Sequence, residues 1–392
     1  MLVTQVYQLM NTVTKEVLGE TAVVNEDLTN VVDIGNEIIG TDNLDNYVKS
    51  LVDHIGRVIF VNRPYRGGAP SVLMDGWEFG SILEKIQADI PEASENESWE
   101  LVDGQTYDPN VFYKPSVSAK FFNKRVTFEV DMSFTEMQVR ESFSNVAQLN
   151  GFLSMLYAAV DKSITVKMDA LVMRTINNMI SETVANEYPS GTAVGSKSGV
   201  RAVNLLYLYN QGKTEKLTAA QAIADKDFIR FASYQMSLYM SRMSRISSLF
   251  NVGGKERFTP EDMLHVVMLA DFRTSADIYL QSDTFHDMYT ELPYAETVPF
   301  WQGSGENYDF ASTSSINVKD ASGNATSLSG ILAVMFDRDA LGVSNLDRRV
   351  TVNYNPKAEF WNNFYKFEAG YFNDLNENFV VFFIADAPAS TA

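Results

Sequence analysis

Two glycine-rich runs and one serine-containing run have the composition of ligand-binding or catalytic loops. The run Gly253-Gly254-Lys255 approaches a P-loop, in which backbone N–H groups surround a phosphate and a hydroxyl after the lysine binds Mg²⁺. In this chain Leu249 stands at the position of the first glycine and Glu256 at that of the hydroxyl. The P-loop is therefore excluded.

The other two runs also lack a required residue. Gly303 and Gly305 are not followed by the third glycine of a dinucleotide-binding fingerprint, because Tyr308 occupies its position. The run at 195–199 places Lys197 where a nucleophile elbow requires a serine. No predicted strand leads into either run, so neither indicates a catalytic or cofactor site.

Metal binding and acid–base chemistry have few candidate residues. The chain has no cysteine and three histidines, His54, His265 and His286. His54 and His265 have no His or Glu at the spacing of metal ligands. The Asp-Arg-Asp run at 337–339 is a possible acid/base pair, but its place at a strand end favours a turn salt bridge. We expect no catalytic residue, metal, cofactor or enzymatic activity.

Length and composition indicate a globular protein with two to three domains. Of its 392 residues, 45% are hydrophobic and 21% are charged, and the net charge is −19. That charge disfavours nonspecific binding to a nucleic-acid backbone over most of the surface. The apolar runs fall short of the ~20 residues that span a bilayer. The N-terminus lacks a signal-peptide pattern, so we expect a cytoplasm-made protein with no membrane partner.

The first third of the chain is predicted to form an acidic arm and a charged loop. Residues 1–56 are acidic and loosely periodic, which is typical of an extended arm lying on its own body or on a neighbour. From Ile86 to Tyr113 there are seven acidic residues and no basic one, and from Lys114 to Phe128 four basic residues and no acidic one. These limbs form a hairpin within one subunit or meet the opposite limbs of adjacent copies. Solvated loop charges explain them equally well.

A long helix is the clearest periodic feature. Apolar residues recur at steps of three or four from Leu149 through Val160 to Met179, which predicts a helix over 145–186, on the order of 60 Å long. A coiled coil is the alternative, but its charge ladder at the e and g positions is missing.

The rest of the chain alternates helices and strands. We predict a helix near 225–250, a buried strand at 265–270, a helix near 274–287 and a surface loop over 304–324. Four further strands are predicted in the last segment, at 331–336, 349–354, 364–372 and 379–384. This alternation indicates a compact α/β domain followed by returning strands.

The order of these elements resembles the major capsid proteins of tailed bacteriophages, which have the Hong Kong 97-type fold. Residues 121–143 look like the return limb of the extended loop (E-loop), and residues 158–172 are similar to the spine helix. Residues 333–342 and 350–356 resemble the end of such proteins. Residues 48–59 further resemble head proteins of small short-tailed (podovirus) phages.

The resemblance implies an α+β fold with an N-arm, an E-loop, a long spine helix, a peripheral (P-domain) sheet and an inserted α/β axial (A) domain. It divides the chain into an N-terminal arm (1–56), the E-loop with the first P-domain strand (57–135), the P-domain with the spine helix (136–188), the A-domain (189–330) and returning strands of both domains (331–392).

The function that the resemblance implies is that of a major capsid protein. Such a protein self-assembles into hexamers and pentamers that form an icosahedral or prolate head around double-stranded DNA, and it resides in the virion. The implied partners are other copies, a separate scaffolding protein, a portal, head accessory proteins and DNA bound without sequence specificity. Alternatives are another virion structural protein, such as a head–tail adaptor or tail component, and an enzyme.

The charged limbs supply the candidate interface residues. We predict that one of two sets faces a neighbouring subunit: the acids Glu92, Glu95, Glu97 and Asp103, or the bases Lys114, Lys120, Lys124 and Arg125. Exposed ion pairs contribute only ~0–1 kcal/mol each, so we expect them to set register and assembly more than affinity.

Overall fold

A computed structural model describes most of the chain beyond residue 109 and shorter stretches before it. The described residues are 69–72, 83–91, 93, 95, 102–104, 108, 110–135, 146–189, 192–281, 295–299, 301, 316–319 and 325–387. The predicted arm at 1–56, with His54, and the position of His286 lie outside them.

The described residues belong to two compact units. One contains the described parts of 130–163 and 350–365, and the other contains those of 66–129, 164–349 and 366–387. The predicted division into five segments follows the order of elements along the chain and stays a prediction.

Strands and helices alternate along most of the described chain. In chain order the elements are β1 (Leu83–Ala88), β2 (Val117–Phe122), β3 (Arg125–Thr135), α1 (Val146–Glu187), β4 (Ala202–Asn204), α2 (Leu205–Asn210), α3 (Ala219–Ala222), α4 (Lys226–Met243), β5 (Leu264–Leu269), α5 (Ala270–Gln281), β6 (Glu296–Val298), β7 (Ile316–Lys319), β8 (Ala325–Leu328), β9 (Ile331–Asp337), a 3₁₀ turn (Arg338–Ala340), β10 (Leu341–Asn355), β11 (Phe360–Asn373) and β12 (Phe379–Phe383).

The core of the larger unit is a five-stranded mixed sheet with the order β4-β12-β9-β5-β6. β9 is antiparallel to both β12 and β5, whereas β4 and β6 lie parallel to their neighbours at the two edges. Every residue of β9 and β12 is buried. Their continuous apolar runs suit strands that are covered on both faces, which explains their central places.

The spine helix α1 confirms the predicted helix almost residue for residue. Within the larger unit, from Asp169 to Val184, every residue is buried except three that are half-buried. Those three are Arg174, Asn178 and Glu182, which are spaced by four and therefore share one narrow stripe. A helix that is buried nearly all round belongs in a protein core. Among the described residues, no helix is long and apolar enough to span a membrane.

Two predicted helices have different bounds in the structure. Asp225 caps α4 by accepting a hydrogen bond from the Phe228 N–H at 2.7 Å, but the helix ends at Met243 and not near residue 250. The chain turns there because Ser247 exchanges backbone hydrogen bonds with Arg257. Helix α5 begins at Ala270, directly after β5, and not near residue 274.

The predicted surface loop at 304–324 is partly wrong. β7 lies inside it and pairs antiparallel with β8, with Ile316 opposite Leu328. The alternation of Ile316 and Val318 with polar residues is the strand period. The Gly/Ser-rich composition around it obscured this short signal.

A second sheet has three long strands in the order β10-β11-β3. The predicted strands at 349–354 and 364–372 are parts of β10 and β11, which are 15 and 14 residues long. β10 is therefore an edge strand of this sheet, and its residues from 347 to 355 are exposed.

Candidate subunit interface

The two charged limbs come together as one hairpin. β1 lies on the acidic side and β2 on the basic side, and the strands pair antiparallel with Leu83 opposite Phe122 and Ala88 opposite Val117. Of the alternatives for these limbs, the structure thus shows a hairpin within one chain. Because side chains alternate along each strand, the hairpin has two faces of different chemistry.

The inner face is polar except for Leu83 and Phe122 at one end, and it contacts its own unit. Lys85 Nζ lies 2.7 Å from Glu377 Oε1 and 3.2 Å from Asp374 Oδ2. Lys120 Nζ lies 2.8 Å from Asp374 Oδ1. We call Lys85, Lys120, Asp374 and Glu377 the hairpin anchor. Beside it, the Phe122 ring packs 5.1 Å from that of Phe372.

The buried carboxylate of Asp374 is the centre of the hairpin anchor. It has no exposed side-chain area. Burial by itself would raise the pKa of Asp374, but hydrogen bonds from Lys120 and the Asn376 N–H outweigh burial and hold the pKa below its ordinary value. The charge of Lys85 acts in the same direction. Asp374 is therefore ionised at neutral pH and, together with Glu377, balances the charge of the two lysines.

Residues from the run that resembles a P-loop extend this contact. Lys255 Nζ lies 3.1 Å from Asp89 Oδ1, and the Ser116 hydroxyl donates to the other oxygen of Asp89 at 2.7 Å. These hydrogen bonds and the charge of Lys255 lower the pKa of Asp89. The Gly253 N–H donates to the Leu375 carbonyl at 2.8 Å. The run therefore holds the hairpin and the turn between β11 and β12.

The outer face of the hairpin is exposed and, apart from Glu84, apolar. It carries Ile86, Ala88, Val117, Ala119 and Phe121, which we call the outer face throughout. Ile86 is 63% exposed, Val117 59% and Phe121 65%. A hairpin that lies on its own protein normally turns apolar side chains inward and polar ones to water. This hairpin instead exposes most of its apolar side chains, which marks its outer face as a surface that another molecule covers.

The predicted interface residues fall into three groups. Glu92 and Glu97 lie outside the described residues. Lys120 and Arg125 form ion pairs within the chain, the latter with Glu368 at 2.9 Å. The remaining four residues are exposed: Glu95, Asp103, Lys114 and Lys124. The interface role of these eight charges stays a prediction.

The sequence did not point to Asp374 and Glu377. They lie in the turn between β11 and β12, about 290 residues from Lys85. Acidic residues are common in turns between strands, where they are expected to face solvent. No local pattern distinguishes these two from the many other acids of the chain.

His265, one of the histidines considered for metal binding and catalysis, lies beside the Glu296 carboxylate. The Glu296 carboxylate accepts hydrogen bonds from the N–H of Ser71, at 2.8 Å, and from its hydroxyl, and it lies 3.5 Å from His265 Nε2. A nucleophilic triad needs the histidine between serine and carboxylate, whereas here the carboxylate stands between the other two. Burial lowers the pKa of His265. No group of three or more possible metal ligands occurs among the described residues.

The Asp-Arg-Asp run at 337–339 forms a turn, as predicted, but the contact described in it is a hydrogen bond to a backbone N–H and not the predicted salt bridge. Asp337 accepts a hydrogen bond from the Asp339 N–H at 2.9 Å and so caps the 3₁₀ turn. Burial raises the pKa of Asp337. Asp337 and Asp339 lie between β9 and β10, and their role in this turn explains why two acids occur there.

The profile of the Phi29-like phage major capsid protein family matches residues 10–383. The chain belongs to this family. No curated protein has a significantly similar sequence. This capsid protein is therefore a component of the phage virion and forms the phage head, which confirms the predicted family and function.

Solved structures support the fold. One similar structure is the capsid of Staphylococcus phage Andhra, with a TM-score of 0.55, 10% sequence identity, and coverage of 85% of this chain and 87% of that chain. Another comes from the structure of head fiber and inner core protein gp22 of native bacteriophage P68, with a TM-score of 0.51, 9% identity, and coverage of 84% and 88%. The capsid protein thus has the predicted Hong Kong 97-type α+β fold.

Proposed function

We propose that this capsid protein assembles into hexamers and pentamers that close an icosahedral or prolate head around double-stranded DNA. The observation that carries the proposal is the β1–β2 hairpin, a two-stranded sheet whose outer face is exposed among the described residues. An isolated two-stranded sheet is marginally stable in water. Rings of identical subunits provide a cover for such a surface, because each copy can lie on the next.

The other partners in the proposal follow from the needs of a closed shell. A shell of defined size requires control of curvature, which a separate scaffolding protein supplies, and a portal and head accessory proteins complete the head. The net charge of −19 suits an inner wall that encloses DNA without gripping a particular sequence. Assembly takes place in the cytoplasm of the host bacterium. The protein acts through subunit contacts and not as an enzyme.

Electron microscopy of the purified chain tests this function. The chain is produced alone and together with the other head proteins of its phage, and the particles are sized by light scattering. We expect closed shells, or rings of six and five subunits. Discrete twelvefold rings would favour the head–tail adaptor alternative. Subunits that form no shell even with the other head proteins present would contradict the proposal.

A further inference from the structure

We propose that Asn378 and Thr259 are positioning residues for the hairpin anchor. They belong to a buried hydrogen-bond chain that locks two loops, residues 251–259 and 374–378, into one support for the base of the hairpin. We call these two loops the cradle. The inference goes beyond the proposed assembly, because it concerns how a single free subunit holds its own hairpin.

Both loops of the cradle contact the hairpin through polar and charged side chains. From the first loop, Lys255 pairs with Asp89, and the Arg257 guanidinium hydrogen-bonds Gln87. From the second loop, the two acids of the hairpin anchor pair with its two lysines. Because these interactions weaken with distance, the strength of the attachment depends on how the two loops are placed relative to each other.

A chain of hydrogen bonds between buried side chains joins the two loops. Asn251 Nδ2 donates to Asn378 Oδ1 at 3.4 Å, and Asn378 Nδ2 donates to Thr259 Oγ1 at 3.1 Å. The Thr259 hydroxyl in turn hydrogen-bonds the Asp337 carboxylate at the end of β9. Asn251 and Asn378 are fully buried, and Thr259 is 2% exposed. Asn378, on the second loop, therefore bridges both ends of the first.

All the hydrogen bonds of this chain run in one direction. The Lys255 N–H donates to Asn251 Oδ1 at 2.8 Å, and each later hydrogen bond also points toward Asp337, whose carboxylate is the final acceptor. Hydrogen bonds that share a direction polarise one another in a protein interior. Loss of one member leaves a buried group unpaired, which costs more than a typical hydrogen bond contributes. The chain therefore favours a single placement of the two loops.

Backbone hydrogen bonds connect the second loop to the same neighbours. The Asp374 N–H donates to the Ala340 carbonyl at 2.7 Å, and the Asp337 N–H donates to the Asn378 carbonyl at 3.0 Å. Asp337 ends β9, and Ala340 ends the 3₁₀ turn that follows it. The backbone bonds thus fix the path of the second loop, and the Asn378 side chain fixes that loop against the first. The side-chain chain is the part that a conservative substitution can remove.

Amide hydrogen exchange of the free subunit tests the inference with two substitutions of the same kind. Thr259→Val removes the hydroxyl in the middle of the chain. Thr183→Val is the matched control, because the Thr183 hydroxyl is also buried and donates to the Met179 carbonyl at 2.8 Å within α1 of the same compact unit. We expect Thr259→Val to speed amide exchange in β1 and β2 roughly tenfold, as for a buried group left unpaired, and Thr183→Val to leave that exchange unchanged. The strands β9 and β12 should keep their protection in both variants.

A conservative variant separates positioning from loss of packing. Thr259→Ser keeps the hydroxyl and removes only a methyl group, so we expect hairpin exchange within about twofold of the wild-type rate. Reductive methylation of lysines, read by mass spectrometry, is a second measurement. Lys85 and Lys120 should be modified faster in Thr259→Val than in Thr259→Ser, because the acids that pair with them are no longer held in place.

Three results would overturn the inference. They are equal hairpin exchange in Thr259→Val and Thr183→Val, a rise in Thr259→Ser as large as that in Thr259→Val, and a rise in β9 and β12 equal to that in the hairpin, which would indicate a loss of global stability. If Thr259→Val does not fold, Asn251→Ala removes the other end of the chain and should give the same rise in the hairpin alone. None of these measurements needs assembled heads, so failure of the proposed function would leave them interpretable.

Discussion

Lys85 and Lys120 stand directly opposite each other across the β1–β2 hairpin, and the carboxylate of Asp374 contacts both ammonium groups, at 3.2 and 2.8 Å. Like charges in directly opposed positions destabilise a sheet. The buried acid, with Glu377 beside Lys85, offsets that repulsion, so that the two lysines attach the hairpin. The C-terminal turn between β11 and β12 thereby holds the base of a hairpin formed some 250 residues earlier.

Removing this acid should loosen the hairpin. We expect Asp374→Ala to lower the free energy of unfolding by about 3 kcal/mol, the low end of the range for a broken buried pair. The low end applies because Lys120 is 39% exposed and can turn to water. Urea unfolding of the free subunit measures the change. The control is Asp347→Ala, which breaks the exposed pair with Arg349 and should cost under about 0.5 kcal/mol; similar losses would contradict the role of Asp374.

Acid should weaken the same attachment. The pKa of Asp374 is lowered in the folded protein, so its contribution to stability is complete above the ordinary carboxyl pKa of about 3.9 and is lost as pH falls through the lowered value. We expect the urea concentration at half-unfolding of the subunit to decrease once the pH is below about 4. The variant Asp374→Asn should depend less steeply on pH in that range. Parallel pH profiles for the two proteins would refute the assignment.

Asp337 should behave in the opposite way. Burial raises its pKa, so its ionised form costs stability, and that cost appears as pH rises through the raised value. Asp337→Asn removes the charge and keeps an oxygen that accepts the Asp339 N–H. We expect the variant to be at least as stable as the wild type at pH 7 in urea unfolding. On mild acidification the wild type should become more stable, and the variant should not show this increase. A clear loss of stability at pH 7 would contradict this.

Lys114 and Lys124 give the cleanest test of the predicted charged interface. Reversal of Lys120 or Arg125 also breaks pairs with Asp374 or Glu368, so a loss of assembly there would be ambiguous. For Lys114 and Lys124 the described residues offer no ion-pair partner. We expect Lys114→Glu with Lys124→Glu to slow assembly in low salt, followed by light scattering, by an amount that reflects ~0–1 kcal/mol per pair. Unchanged assembly would show that these two charges face solvent.

Gly330 should be irreplaceable where it precedes the central strand β9. Its φ is +74°, and a Cβ there would clash with the Ile384 carbonyl oxygen. We expect Gly330→Ala to destabilise the subunit by about 3 kcal/mol, since backbone strain and the clash add. Gly212→Ala is the matched control, because Gly212 has a φ of +79° but open space around it, and strain alone costs about 1 kcal/mol. Thermal unfolding compares them; equal shifts would mean that the clash is relieved.

The sequence by itself determined the elements that local patterns specify. The spine helix was predicted at 145–186 and is α1, Val146–Glu187, because apolar residues at steps of three or four from Leu149 to Met179 favour a helix over a strand. The buried strands β9 and β12 were also predicted, from continuous apolar runs. The order of the predicted elements along the chain indicated the family, which the match over residues 10–383 confirmed.

Only the tertiary structure decided which face of the hairpin its own subunit holds. The alternation of Lys85, Ile86 and Gln87 shows that two faces exist, but the strand period does not say which face turns inward. That choice depends on Asp374 and Glu377, which lie about 290 residues after Lys85 in the sequence and which the fold brings next to it. Long-range electrostatic pairing leaves no local signal, so the sequence did not reveal that Lys120 pairs with Asp374 of its own chain, whereas the structure shows this pair and leaves the apolar side chains exposed.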